Sequence, residues 1–210
     1  MGISRTLTKA LTAASDNCIS LSQTPGAAGN LTITGSAASA GVATLDTQRQ
    51  VLLTFAADET GHTFVVYGTK QGGSAISETV AGTTAGTVAT NQDFLTVTRV
   101  SISAAATGAI KVGTNTFGAT DWQSVDTMRQ PVNVAFQIGV TGTINYSIQT
   151  TVQDVNNLPS GTTYPTAFDS VVAGQAGNMG GSLTDPVTFF RLLVNSGTGA
   201  AILSYQQAGP

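Results

Sequence analysis

Between Gly142 and Val152 the side chains alternate: Thr143, Asn145, Ser147, Gln149 and Thr151 interleave with Ile144, Tyr146, Ile148, Thr150 and Val152. Successive side chains of a β-strand point to opposite faces, so this order makes one dry face and one wet face. A helix would need apolar residues at a period near 3.6. Weaker versions of the same pattern recur along the chain, separated by Gly-rich turns. The chain is therefore expected to be all-β, with its strands closed into sandwiches or a barrel.

Charge sharpens this reading. Only 9% of the residues are charged, against roughly 25% in ordinary soluble domains. Thr, Ser, Ala, Gly, Asn and Gln take the place of the missing charges. Short neutral side chains lose little entropy on burial, which suits a surface that becomes an interface. The eight Lys and Arg are scattered singly, and the net charge is −3. Nucleic-acid binding relies on clustered positive charge, so no nucleic-acid partner is expected. Cys18 is the single cysteine, which excludes an intrachain disulfide and a multi-cysteine metal site. No apolar run reaches the ~18 residues of a membrane span, and the first residues lack the apolar core of a signal peptide. No membrane partner is expected. Gly2 with Thr6 matches the myristoylation pattern, which is short enough to arise by accident, and Asn30 and Asn145 open glycosylation sequons, which matter only in a eukaryotic secretory pathway.

With 210 residues the chain can bury one large core or two small ones. The expected organisation is two β-sandwich or jelly-roll-like modules with an extended N-terminal arm. Residues 1–48 hold the arm and short strands at Leu31–Ile33 and Val42–Leu45. Residues 49–118 form the first module: strands at Val51–Ala56, Thr63–Thr69 and Ala75–Val80, a polar loop over Gly82–Asn91, and strands at Phe94–Ser103 and Ala109–Thr114. Lys70-Gln71-Gly72-Gly73 reads as a hairpin turn, its glycines free to take positive φ. Residues 119–131 are a connection, with Trp122 expected to pin the modules together. Residues 132–210 form the second module. There Val132–Ile138 is expected to pair with Thr143–Val152 as a hairpin, and Pro186–Asn195 with Ala200–Gln206 as another. Between them, Gln153–Gly181 is a long irregular stretch, and such loops inside compact domains are usually functional.

Chemistry-bearing groups are sparse. His62 is the single histidine and falls in a turn after Asp58 and Glu59, where a solvated imidazole is expected, because metal and catalytic sites need several convergent groups. Cys18 has His62 as its sole candidate base and lies in no nucleophile motif, so a small packed thiol is expected. The acidic residues fall mostly in turns and form no obvious hydrolytic pair. Asp154, Asp169 and Asp185 border the long stretch, where a hard cation could sit, but without D-x-D-x-D spacing. Tyr67, Tyr146, Tyr164, Tyr205 and Trp122 could form a sugar-stacking platform, although the alternating positions of the tyrosines more simply place them on sheet faces. No catalytic residue, cofactor or metal is expected.

Several stretches carry a resemblance: Arg5-Thr-Leu-Thr-Lys-Ala-Leu-Thr-Ala-Ala14, Gln23-Thr-Pro-Gly-Ala-Ala-Gly-Asn-Leu31, Phe64–Gly82, Phe94–Ser103, Ile110-Lys-Val-Gly-Thr114, Gly142–Val155 and Pro186–Gln206. Over nearly its whole length the chain resembles the small β-rich structural (virion) proteins of tailed bacteriophages. Its motifs are strand-and-turn patterns, and no catalytic signature carries over with them. The resemblance implies a non-enzymatic virion component, assembled in the host bacterial cytoplasm. Such a component forms a symmetric array, as capsid decoration or as part of the neck or tail. Its partners would be copies of itself and capsid, portal, neck or tail proteins. Val155, Leu158, Tyr164, Phe168, Val171 and Val172 are the expected docking residues, because the long stretch is too apolar there for a mere connector. A glycan- or receptor-binding adhesive module is the alternative, and a glycan depolymerase a third.

Overall fold

A computed structural model describes residues 4–10, 13–70, 72–128, 132–155, 168–169 and 172–207, with the backbone alone at 4–10 and 168–169. The described residues contain seventeen β-strands and no helix. In chain order these are β1 Ser4–Ala10, β2 Ser15–Gln23, β3 Gly29–Asn30, β4 Ala38–Ser39, β5 Val42–Phe55, β6 Thr63–Thr69, β7 Ala75–Ala81, β8 Gly86–Ile102 and β9 Ile110–Thr114. There follow β10 Gly118–Ala119, β11 Gln123–Ser124, β12 Val134–Thr141, β13 Ile144–Thr151, β14 Phe168–Asp169, β15 Met179–Leu183, β16 Phe189–Gly197 and β17 Ala200–Gln207.

The chain divides into two compact units. One is Ala14–Asn115. The other joins Met1–Ala13 to Thr116–Pro210. The expected boundaries at 48, 118 and 131 therefore move to 13 and 115. Residues 14–48 belong to the first unit and hold β2, β3, β4 and the start of β5, with the strand expected at Leu31–Ile33 replaced by the short pairing of Gly29–Asn30, while Ser4–Ala10 is an edge strand of the second unit, paired with β17.

In the Ala14–Asn115 unit, β5 and β8 are long and bent. The N-terminal part of β5 pairs Ala43 and Thr44 with Val97 and Thr96 of β8, and its C-terminal part pairs Leu52–Phe55 with Ala89–Gly86. On its other side the same C-terminal part pairs with β9, and β9 with β2. The register slips between Thr44 and Arg49 and again between Gln50 and Leu52. Such irregularities twist a strand and re-aim its side chains, so Phe94, Val97 and Val100 are all buried despite their odd spacing. The slip leaves backbone amides without ladder partners, and side chains satisfy them. Thr90 Oγ1 accepts the Val51 amide at 2.9 Å, and the buried Glu78 carboxylate accepts those of Asn91 and Gln92 at 2.7 and 2.8 Å. The expected polar loop over Gly82–Asn91 is for this reason mostly strand. Its hydrophilic residues serve the bulge and not a solvated turn. The turn at Lys70–Gly73 forms as expected: Gly73 donates to Lys70 O at 3.1 Å, and Gly72 and Gly73 have φ of 87° and 82°.

The second unit is a sandwich of two sheets. One sheet has the order β1-β17-β12-β15. The other runs β14-β13-β16, with β10 and β11 on the far side of β16. Phe136 and Ile138 from β12 and Leu203 and Tyr205 from β17 share a core with Ile144, Tyr146 and Ile148 from β13 and Phe190, Leu192 and Val194 from β16. Both expected hairpins are overturned. β12 and β13 lie in different sheets, and so do β16 and β17. Each short connection is an arch that carries the chain across the core, and the pairs formed are β12 with β17 and β13 with β16. The two arches touch: Thr143 O accepts the amides of Thr198 and Gly199 at 3.1 and 2.9 Å. An arch and a hairpin need the same Gly-containing turn residues and the same alternation, so the pattern alone does not separate them.

Candidate functional site

The described parts of the long stretch after Gln153 build on the free side of β13. Phe168 and Asp169 pair with Thr150 and Gln149. Ile148 N donates to Val172 O at 3.0 Å, and Tyr146 and Gln175 exchange both backbone hydrogen bonds at 2.8 Å. Asn145 Nδ2 donates to Gly174 O, and the Gly174 amide to Ser147 Oγ. The buried Tyr146 hydroxyl donates to Gly177 O at 2.6 Å, and burial pushes its pKa above the usual tyrosine value. The segment then turns into β15 along β12.

This geometry sorts the expected docking residues. Val172 is fully buried in the core of its own unit, so it cannot meet a partner, and that expectation is corrected. Val155 is half-buried and sits just past the exposed Val152. The Phe168 backbone belongs to β14, with its side chain outside the description. Leu158, Tyr164 and Val171 lie outside the described residues. Val152 itself departs from the expected face, because β13 ends at Thr151.

Among the described residues nothing pairs with the outer side of the segment's last strand. In the four-stranded sheet β15 lies at one end and β1 at the other. Met179-Gly180-Gly181-Ser182-Leu183 pairs with β12 without a register shift, from Val134↔Leu183 to Ile138↔Met179. Gly180, Gly181 and Ser182 are exposed. A shallow depression of about 450 Å³ lies along this edge, lined by Phe136, Gln137, Ile138, Asn178, Met179 and Gly180, with no ionisable side chain among them.

The isolated chemical groups are placed as follows. Cys18 is buried, its Sγ 3.7 Å from Thr114 Oγ1, as a packed thiol should be. His62 is not simply solvated: its Nδ1 lies 2.7 Å from Oε2 of Glu59, a buried carboxylate that sequence reasoning treated as a turn residue. The exposed Asp58 beside it is held below the usual carboxylate pKa, chiefly by hydrogen bonds from the Thr60 side chain and amide. Asp154 and Asp185 are exposed, and among the described residues no three His, Cys, Asp or Glu converge. Tyr146 and Tyr205 are buried, and Arg99 stacks on Tyr67 at 3.7 Å, so these rings do not form an open sugar platform. Trp122 stacks with Arg191 at 4.6 Å within its own unit. Comparisons with protein-family models, curated proteins and solved structures give no match to this chain.

Proposed function

We propose that the protein is a non-enzymatic structural component of a bacteriophage particle that assembles in a symmetric array with copies of itself and with other virion proteins. The observation that carries this reading is the unguarded edge at β15. An exposed strand edge is a row of unpaired N–H and C=O groups, and monomeric proteins usually blunt it with Lys, Pro or a bulge. Met179–Leu183 contains none of these, and its register with β12 is unbroken. Glycine and serine let a second backbone approach closely, and strand addition takes its affinity from main-chain hydrogen bonds.

The surface composition supports the same reading. With 9% charged residues, a neighbour can pack closely without many charges being stripped of water. In a closed array each weak contact is reinforced by the others, so a modest edge suffices. The resemblance of the strand-and-turn segments to virion proteins of tailed phages is the support for putting that array on a particle, as capsid decoration or in the neck or tail.

The test is mass spectrometry of purified particles, with copy number measured against the major capsid protein, paired with sedimentation of the isolated protein. A fixed multiple of a symmetric copy number and a concentration-dependent oligomer are expected. A protein missing from particles and monomeric at high concentration would refute the proposal.

A further inference from the structure

Unit boundaries and chain order disagree at one place. Everything in the Thr116–Pro210 part of the second unit is continuous, except that its sheet is completed by β1 from the opposite end of the chain. Between β1 and the rest of its unit lies the whole Ala14–Asn115 unit, which has a core of its own. Among the described residues β1 pairs with β17 alone, through seven consecutive partners from Ser4↔Gln206 to Ala10↔Ala200. It stands at the end of the sheet, so its departure breaks no interior ladder.

We infer that β1 is an exchangeable strand: in the assembled state it leaves the β17 of its own chain and pairs with the β17 of a second copy. The contacts made are the same in both arrangements, because the acceptor strand has the same sequence. Exchange of an identical element between protomers is for that reason a low-cost route to assembly. Donation that is not reciprocal passes from copy to copy and generates a ring or an extended lattice. The chain length suits this. Four residues, Leu11 to Ala14, separate β1 from β2 in the sequence, and a short connection favours swapping. β17 suits it too: Ala201, Leu203 and Tyr205 are buried in a core shared with β12, so the acceptor strand stays in place when its edge is vacated.

This inference rests on the assembly reading above, and one experiment separates the two. Full-length protein carrying Cys18→Ala is prepared with Thr6→Cys, with Ser204→Cys and with both. Residues 6 and 204 are directly opposed, at a Cα spacing of about 4.5–5.5 Å for antiparallel partners, which is within disulfide reach. The two single variants are mixed under assembling conditions, oxidised and run without reductant. Exchange predicts a covalent dimer joining position 6 of one chain to position 204 of the other, at least tenfold above either variant alone. The double variant should give a ladder of linked chains. Thr8→Cys with Ile202→Cys, the opposed pair two residues along, repeats the measurement if the first pair impairs folding. A double variant that closes as a covalent monomer at every concentration, with no mixed dimer, overturns exchange. Sedimentation then distinguishes the failures: oligomers without crosslinks refute strand exchange alone, and monomers throughout refute assembly as well.

Discussion

His62 Nδ1 stands 2.7 Å from Oε2 of the buried Glu59, and the other carboxylate oxygen, Oε1, accepts the backbone amides of Thr107 and Gly108 at 2.8 Å each. One side chain thereby fastens the 104–108 loop to the turn before β6. Glu59→Ala would remove the acceptor of the Thr107 and Gly108 amides, on an exposed and a half-buried residue, together with the partner of His62, a loss of roughly 2–4 kcal/mol at about 1 kcal/mol for each hydrogen bond. Glu59→Gln keeps an oxygen for the amides and should lose less than half as much. His62→Ala removes one hydrogen bond and should cost about 1–2 kcal/mol. Urea unfolding with hydrogen exchange at the Thr107 and Gly108 amides checks this. Wild-type protection of those amides in Glu59→Ala would show that the carboxylate is not the anchor.

The register of β13 makes a second prediction. Ile148 is fully buried between the two sheets of its sandwich, so Ile148→Ala should cost about 2–5 kcal/mol. Gln149 lies on the other face, but it is not idle there: its Oε1 accepts from Nε of the buried Arg191 at 3.0 Å. Gln149→Ala should therefore cost about 1–2 kcal/mol, more than a surface change and less than the core change. Thermal unfolding of the two variants side by side is the measurement. Equal losses would mean that β13 is placed one residue out of register.

The arches give a third. A Cβ on Gly197 would meet Thr143 O at 2.3 Å, and the residue has φ of 110°. Nothing lies within 4 Å of a Cβ on Gly139, and its φ is ordinary. Gly197→Ala should destabilise by about 1–3 kcal/mol from backbone strain alone, with the clash in addition. Gly139→Ala should be neutral or gain up to about 1 kcal/mol, because alanine restricts the unfolded chain. If β12–β13 and β16–β17 were instead plain hairpins, the Gly197 backbone would be free to relax, and the two variants would behave alike.

A fourth concerns Ala40, a non-glycine residue with φ of 51° in the two-residue turn between β4 and β5. The left-handed conformation costs an L-residue roughly 1–2 kcal/mol, and asparagine tolerates it better. Ala40→Asn should raise stability by about 1 kcal/mol. A loss instead would mean that the turn does not hold this conformation.

These cases mark what the sequence made legible. Alternation at Ile144, Tyr146 and Ile148 gave strand type and buried face, because burial acts on every second residue of one strand. It could not say which strand lies next door, since partner choice depends on how Gly142 and Gly199 carry the chain across the core. β4 was missed for a related reason: Ala40-Gly41 is not among the favoured turn pairs, and the short ladder of Ala38 and Ser39 carries no apolar signal. Val172 showed its hydrophobicity but not its destination. A buried side chain and a docking side chain look identical until the covering strands are known.

The β15 edge supplies the last prediction. Ser182 is exposed, pairs with Ala135 in the sheet and lies next to the middle residue, Gly181, of the unguarded strand. Lysine at such a position is the usual natural guard, because its charge stays solvated beside the sheet and penalises a strand that tries to add there. Ser182→Lys touches no core residue, so folding stability should stay within about 0.5 kcal/mol of wild type. Incorporation into particles, or oligomerisation of the isolated protein, should fall at least tenfold. Ser182→Thr, which adds no charge and favours the strand, should assemble normally and guards against a trivial effect of changing the residue. If Ser182→Lys assembles as well as wild type, β15 is not the docking edge. Val155→Ser, made at the half-buried position after the exposed Val152, then becomes the discriminating variant: a loss of assembly there would move the contact from the strand edge to the start of the long stretch.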